Sequence, residues 1–194
     1  MLHKKGKLLV FSAPSGAGKT TIVRSVLQEF PDLAFSISAT TRKKRESEIE
    51  GKHYFFISEE EFQKKIEKNE FVEWEKFYDY YYGTLKKYID NLINKSINVV
   101  LEVDVKGALN IKNVYPDCVL IFVMPPSFDT LKERLIKRNT ESKEDLEKRL
   151  ERVELELSYT DKFDFVIIND DLEKAKNEAK KIVKNILNGV KNAD

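Results

Sequence analysis

The stretch that most constrains this chain is VFSAPSGAGKTT, Val10 to Thr21. It combines an apolar run, closely spaced glycines, a lysine and two threonines. Gly16 and Gly18 stand where a side chain would block an incoming anion or forbid the required backbone angles. Successive N–H groups in such a loop point inward and bind phosphate oxygens, helped by the positive end of the following helix. Lys19 supplies a point charge for the β- and γ-phosphates, and the Thr20 hydroxyl can ligate Mg²⁺. The usual spacing, G-x-x-x-x-G-K-[ST], puts a glycine where this chain has Ala13. Ala13 ends an apolar strand, where φ is negative and a methyl group is tolerated, so the departure is expected to be minor. The context is the one the motif needs: a strand before it and a helix after it carrying Ile22, Val23, Val26 and Leu27.

Other runs repeat that strand-then-helix alternation. Lys7–Ala13, Asn98–Asp104, Cys118–Met124 and Asp164–Asn169 are short and rich in Val, Ile, Leu and Phe, as buried parallel strands are. Helical patterns follow at Lys19–Glu29, Val105–Val114, Phe128–Lys137 and Leu172–Leu187, the last with Ala175, Ala179, Ile182, Val183 and Ile186 on one face. This predicts an α/β fold, a parallel sheet flanked by helices. Between Ala34 and Leu92 the texture turns rich in Tyr and Phe, with alternation in HYFFI and FVEWEKFYDYYYG. An inserted small sheet, mixed or antiparallel, is expected there. Of Tyr80, Tyr81 and Tyr82, alternating faces should put at least one in the lobe core. Trp74 is expected to pack, His53 to be solvated, and the charge-dense 138–156 stretch to form a solvated helix.

Composition restricts the partners. The 194 residues carry 34 basic and 33 acidic side chains, a net charge of +1, so no global field favours nucleic acid or membrane and any anion site must be local. One cysteine, Cys118, excludes an internal disulfide and a Cys-based metal cluster. No apolar run approaches the roughly 18 to 20 residues of a membrane span, and MLHKKGK does not read as a signal sequence. The expectation is a cytoplasmic protein, monomeric or homodimeric. Arginine is scarce, seven against 27 lysines, yet Arg42 and Arg45 sit in TTRKKRE, and Arg134 and Arg138 in ERLIKRN. That pattern suits sites needing a planar, bidentate grip on phosphate. Arg149, in EKRLERVE, can join the second group. The Asn-Lys-x-Asp guanine-reading motif of GTPases does not occur late in the chain.

Taken in order, APSGAGKTT, SATTRKKRESEIEGKHYFFIS, EFVEWEKFYDYYYGT, LEVDVKGA and VIINDDLEKA resemble guanylate kinase along nearly the whole chain. The resemblance implies a P-loop kinase core at 1–33 and 97–194 with a helical lid at about 138–150, and a GMP-binding lobe at 34–96. It implies Mg²⁺-dependent transfer from ATP to GMP, giving ADP and GDP, with dGMP also an acceptor. It assigns ATP to Ala13, Pro14, Ser15, Gly16, Ala17, Gly18, Lys19, Thr20, Thr21, Arg134 and Asn169, and the metal to Thr20. The GMP phosphate falls to Ser38, Arg42, Arg45, Tyr54 and Tyr82, with Glu48 orienting the arginines. Guanine falls to Glu73 and Thr84, with Asp104 nearby. Lys19, Arg42, Arg138 and Arg149 are the implied catalytic residues. The chain departs from the family pattern at Lys44 (usually proline), Glu102 (usually aspartate) and Asn139 (usually glycine). Two other functions share these motifs: a non-catalytic guanylate kinase-like module that grips phosphorylated partners, and a kinase of another phosphorylated ribose compound. The intact Gly16, Gly18, Lys19 and Thr20 favour catalysis.

Overall fold

The structure, a computed structural model, describes residues 5–77, 79–137 and 143–189. In chain order its elements are β1 (Leu8–Ser12), α1 (Lys19–Glu29), β2 (Ala34–Phe35), β3 (Ala39–Thr40), β4 (Phe55–Phe56), α2 (Glu59–Glu67), β5 (Phe71–Phe77), β6 (Tyr80–Leu85), α3 (Lys86–Asn94), β7 (Val99–Glu102), α4 (Val105–Val114), β8 (Val119–Met124), α5 (Phe128–Lys137), α6 (Lys143–Leu157), β9 (Phe165–Ile168) and α7 (Leu172–Leu187). They fall into two compact units. One holds residues 5–8, Asp32–Leu101 and Lys106–Cys118; the other holds Leu9–Pro31, Glu102–Val105 and the chain from Val119 onward.

Among the described residues, five strands form a sheet in the order β2-β7-β1-β8-β9, with β2–β7, β1–β8 and β8–β9 parallel. Leu9, Val10 and Phe11 are fully buried, as are Leu120 to Val123. Consecutive buried residues on a strand need cover on both faces, which explains why the sequence runs apolar instead of alternating. In the second unit α7 buries Ala175, Ala179, Ile182, Val183 and Ile186 and packs with α1, where Ile22, Val23 and Val26 are buried. Lys180 and Glu29 tie the two helices at 3.1 Å. The expected helices at 19–29, 105–114, 128–137 and 172–187 are those observed, while each strand is one to three residues shorter than its apolar run. From Lys143 on, the charge-dense segment forms α6, but not as a wholly solvated helix. Val153 and Glu156, three apart and so on one face, are both buried.

The first unit carries a four-stranded mixed sheet, β4-β3-β6-β5, in which β3–β4 is parallel and β3–β6 and β5–β6 are antiparallel. Register sorts its side chains into two faces. Glu73 lies opposite Thr84 and Glu75 opposite Tyr82; Trp74 lies opposite Gly83 and Lys76 opposite Tyr81. Facing residues share a side of the sheet, so the first two pairs occupy one face and the second two the other. The second face packs on α2: Ala39, Phe62 and Phe71 form a core joined by Phe55, Ile57, Ile66, Tyr81 and Leu85. Phe62 and Phe71 stack at 4.3 Å. Tyr81 is thus the lobe-core tyrosine of the triplet. Trp74, expected to pack, is 46 % exposed, with its ring 6.0 Å from that of Tyr81. The first face is left polar, carrying Glu73, Thr84 and Tyr82. The alternation that suggested a sheet did not suggest its two helices. Their signals were present: Ser58 capping the Glu61 N–H at 3.1 Å before α2, and Ile89 with Ile93 at helical spacing in α3.

Candidate active site

The loop after β1 closes on itself and onto neighbouring residues of its own unit. Gly16 and Gly18 have φ of 91° and 92°, the left-handed region that disfavours any other residue. A methyl group at Gly18 would lie 2.4 Å from Asn169 Nδ2, and one at Gly16 would meet Leu135 and Leu131 at 3.0 and 3.2 Å. Ala13 is buried and is not among the residues of positive φ, so a glycine's freedom is not needed there. The Pro14 carbonyl accepts from Ala17 N at 3.1 Å, and the Gly18 carbonyl from Thr21 and Ile22 N, starting α1. Ser15, Thr20 and Thr21 are exposed along this turn. The buried Asn169, at the end of β9, donates from Nδ2 to the Ala17 carbonyl at 2.7 Å, and Arg134 Nη2 donates to the Asn169 carbonyl at 3.0 Å. Two residues more than 110 positions away in sequence are thereby brought to the loop.

The end of β7 faces the same group of side chains. Lys19 Nζ donates to the Val103 carbonyl at 2.6 Å, and Thr20 Oγ1 donates to Glu102 Oε1. Asp104 Oδ2 accepts from Arg152 Nη2 at 2.8 Å, and Arg152 Nε donates to Glu156 Oε1 at 3.0 Å. Burial pushes the Glu156 carboxyl up, opposed by the charges of Arg152 and Lys19. Glu102 was singled out in the sequence only as a departure. Arg152 and Glu156 were missed, although an arginine and a glutamate at i, i+4 in an arginine-poor chain were a usable signal. Arg138, and the Arg149 side chain, lie outside the described residues, as does Asn139.

A second polar set gathers in the first unit. Arg42 grips Glu48 with both ends of its guanidinium, Nη2 to Oε1 at 2.7 Å and Nη1 to Oε2 at 3.0 Å. Glu48 Oε2 also accepts from the Arg45 backbone N–H at 2.7 Å. The Arg42 guanidinium and this N–H hold the Glu48 carboxyl down at about 2, and Glu48 in turn raises the Arg42 guanidinium above its ordinary value, Tyr82 adding to the effect. Arg42 lies 5.4 Å from the Tyr54 ring centre and 5.8 Å from that of Phe56, and the Tyr54 and Tyr82 rings meet edge-on at 6.0 Å. The Arg45 side chain is exposed. Ser38 stands next to β3, its carbonyl accepting from Phe55 N at 2.9 Å. On the polar face of the sheet, Thr84 Oγ1 donates to Glu73 Oε1 at 2.6 Å, with Thr84 1 % exposed. Ser38, Arg42, Arg45, Glu48, Tyr54, Tyr82, Glu73 and Thr84 all belong to the first unit, whereas Asp104 belongs to the second. His53 is exposed, as expected, and its Nδ1 accepts from Ile49 N at 2.9 Å.

The two sets differ in chemistry. The second unit offers backbone N–H groups, an ammonium and a hydroxyl–carboxylate pair, suited to a polyphosphate with a hard cation. The first offers guanidinium and phenol groups beside a separate carboxylate–hydroxyl pair, suited to a compound with both a phosphate and a hydrogen-bonding ring.

Comparison with known proteins identifies the family. Residues 5–186 match the family model described as guanylate kinase. A protein named guanylate kinase from Caldanaerobacter subterraneus subsp. tengcongensis is 46 % identical over 94 % of this chain and 88 % of its own length. One from Thermotoga maritima is 47 % identical over 88 % of this chain and 83 % of its own. The crystal structure of guanylate kinase from Anaplasma phagocytophilum superposes with a TM-score of 0.71 at 29 % identity, covering 95 % of this chain and 87 % of that one. With the family model spanning nearly all of the chain and relatives close to half identical along its length, the chain belongs to the guanylate kinase family.

Proposed function

We propose that this nucleoside monophosphate kinase transfers the γ-phosphoryl group of ATP to GMP, giving ADP and GDP, in a Mg²⁺-dependent reaction. The observation that carries the reading is the pairing of Glu73 with Thr84 on the polar face of the lobe sheet, in the same unit as the Arg42–Glu48 grip. Guanine presents N1–H and N2–H₂ donors beside the O6 acceptor. A carboxylate accepts from the first two, and a hydroxyl donates to the third. The Thr84 hydroxyl has one proton and directs it at Glu73, so guanine binding exchanges that bond for one to O6 while Glu73 takes the ring donors. Adenine would set its N1 lone pair against the carboxylate. The acceptor phosphate is assigned to Arg42, Arg45, Tyr54, Tyr82 and Ser38, with Glu48 holding Arg42 in place until the phosphate arrives. These residues address base and phosphate, so dGMP serves as well. On this reading residues 34–96 serve as the acceptor lobe.

On the donor side backbone N–H groups of the Ala13–Thr21 loop, in which Pro14 has none, cradle the polyphosphate and Lys19 neutralises its β- and γ-oxygens. Thr20 and Glu102 supply adjacent oxygens that fit Mg²⁺, which is usually held by one or two protein oxygens together with phosphate and water. When bound, the metal supplies charge neutralisation on the transferring group. An oxygen of the acceptor phosphate attacks the γ-phosphorus, the bond to the β–γ bridging oxygen breaks, and ADP leaves with the electron pair. The acceptor phosphate is already anionic, so no side chain must act as general base. Lys19 and the arginines, with Arg138 and Arg149 assigned to the lid, stabilise the charge that develops in transfer. None of the described helices is long and apolar enough to cross a membrane, and we assign the enzyme to the cytoplasm, as monomer or homodimer.

The test is ADP release measured in a coupled assay with a panel of acceptors: GMP, AMP, a ribose bisphosphate and a phosphopeptide. Transfer to GMP at the highest rate, abolished by Lys19→Ala without loss of fold, is the expected result. Release of ADP only with a different phosphorylated ribose would overturn the choice of acceptor. No transfer to any acceptor, with tight phosphopeptide binding, would instead identify a binding module.

A further inference from the structure

Three consecutive residues at the end of β7 each accept a hydrogen bond from a different side chain. Glu102 accepts from Thr20, the Val103 carbonyl accepts from Lys19 at 2.6 Å, and Asp104 accepts from Arg152 at 2.8 Å. The first two donors open α1 directly after the phosphate loop. The third comes from α6, 48 residues beyond Asp104. Arg152 is engaged on its other side as well, by Glu156 one helical turn on, at 3.0 Å. Glu156 is only 8 % exposed; burial pushes its carboxyl up, Arg152 and Lys19 work against that, and Asp104 adds to it. Lys19, Arg152, Asp104 and Glu156 are therefore gathered in one polar group. Within it, the arginine lies between the two carboxylates. Removing the counterion of a buried carboxylate leaves an uncompensated charge, which takes a proton or draws in another cation. Lys19, held on the carbonyl of the residue next to Asp104, is a second cation beside this group.

We propose that Arg152 is a positioning residue for Lys19: by holding Asp104 and Glu156 it keeps the Lys19 ammonium on the neutral Val103 carbonyl, poised for a donor phosphate. A phosphate dianion competes easily with a single carbonyl for an ammonium, but poorly with a buried carboxylate, because leaving the latter strands a charge. This inference rests on the reading of Lys19 as the donor-phosphate lysine and assigns α6 a part in tuning it.

The test is equilibrium binding of Mg·ATP, with KM for ATP measured alongside. Arg152→Ala should weaken ATP binding roughly tenfold. The decisive readout is rescue: adding Glu156→Gln to Arg152→Ala removes the carboxylate that recruits Lys19 and should restore binding to within about threefold of wild type. Glu156→Gln alone should bind ATP within about twofold of wild type, and Arg152→Lys, which keeps the charge but not the two-sided grip, should fall between wild type and Arg152→Ala. Unchanged ATP affinity in Arg152→Ala, or a double variant no better than the single one, overturns the proposal; the latter pattern is what a purely structural role would give. Lys19→Ala separates the two levels of inference. If it binds ATP as wild type does, the donor reading of Lys19 falls and this proposal with it. If it loses ATP while Arg152→Ala does not, only the proposal falls.

Discussion

Glu48 illustrates how much of the proposed acceptor set depends on one carboxylate. It accepts from both ends of the Arg42 guanidinium and from the Arg45 backbone, so it fixes two residues at once. Gln in its place offers one oxygen and no charge. Glu48→Gln should raise KM for GMP roughly tenfold while leaving KM for ATP near its wild-type value, as steady-state kinetics would show. The pH dependence carries a sign. The Glu48 carboxyl is depressed from 4.5 to about 2 in the folded protein, so its contribution to stability is fully present above about 4.5 and is lost as pH falls toward 2. Melting curves of wild type and Glu48→Gln should differ above pH 5 and converge as the pH is lowered through that window. A gap that widened on acidification would contradict the assignment. The arginines themselves were legible because the chain uses lysine almost everywhere else. Glu48 was legible only through its place in the same loop. Arg152 and Glu156 were not found: their i, i+4 spacing was a local signal, but the link from Arg152 to Asp104, 48 residues away, leaves none.

At the level of elements, the phosphate loop answers the question raised by its missing glycine. The positions that demand glycine are those of positive φ, and Ala13 is not one of them. Ala13→Gly should therefore change kcat/KM by no more than about twofold. Gly18→Ala should cost roughly 1–2 kcal/mol for the left-handed backbone alone. It also brings a methyl group against Asn169, which bonds the Ala17 carbonyl. ATP affinity should fall sharply, and Tm by about 2 to 8 °C for the backbone cost alone. Equal behaviour of the two variants would mean that backbone angle does not govern this loop. The helices of the parallel-sheet core were legible because their apolar stripes recur at 3.6 residues over ten or more positions. The lobe was read as sheet only, since α2 and α3 are nine residues each and show two or three apolar positions, too few to outweigh the aromatic alternation around them. β2, two residues long, has no pattern of its own and pairs with β7 instead of joining the lobe sheet.

At the scale of the whole molecule, the residues proposed for the acceptor, Ser38 to Thr84, lie in one compact unit and the loop from Ala13 to Thr21 in the other. Ligand footprints should respect that division. In amide hydrogen exchange, GMP alone should slow segments 38–54 and 73–84, and an ATP analogue alone should slow 13–21. Protection of the loop by GMP alone, to the extent the analogue gives, would contradict the separate assignment of donor and acceptor. The measurement that bears most directly on the central claim is kcat/KM for GMP, IMP and AMP, with wild type and Glu73→Gln. A site built to hydrogen-bond its ring rejects a mismatched analogue by roughly 10⁴-fold or more, because buried polar groups are left unpaired. Wild type should therefore prefer GMP to AMP by about that factor, with IMP, which lacks the N2 amino group, between them. Glu73→Gln should cost GMP about 2 kcal/mol, near thirtyfold, and narrow the preference. Wild-type use of AMP as readily as GMP, or an undiminished preference in Glu73→Gln, would contradict the account.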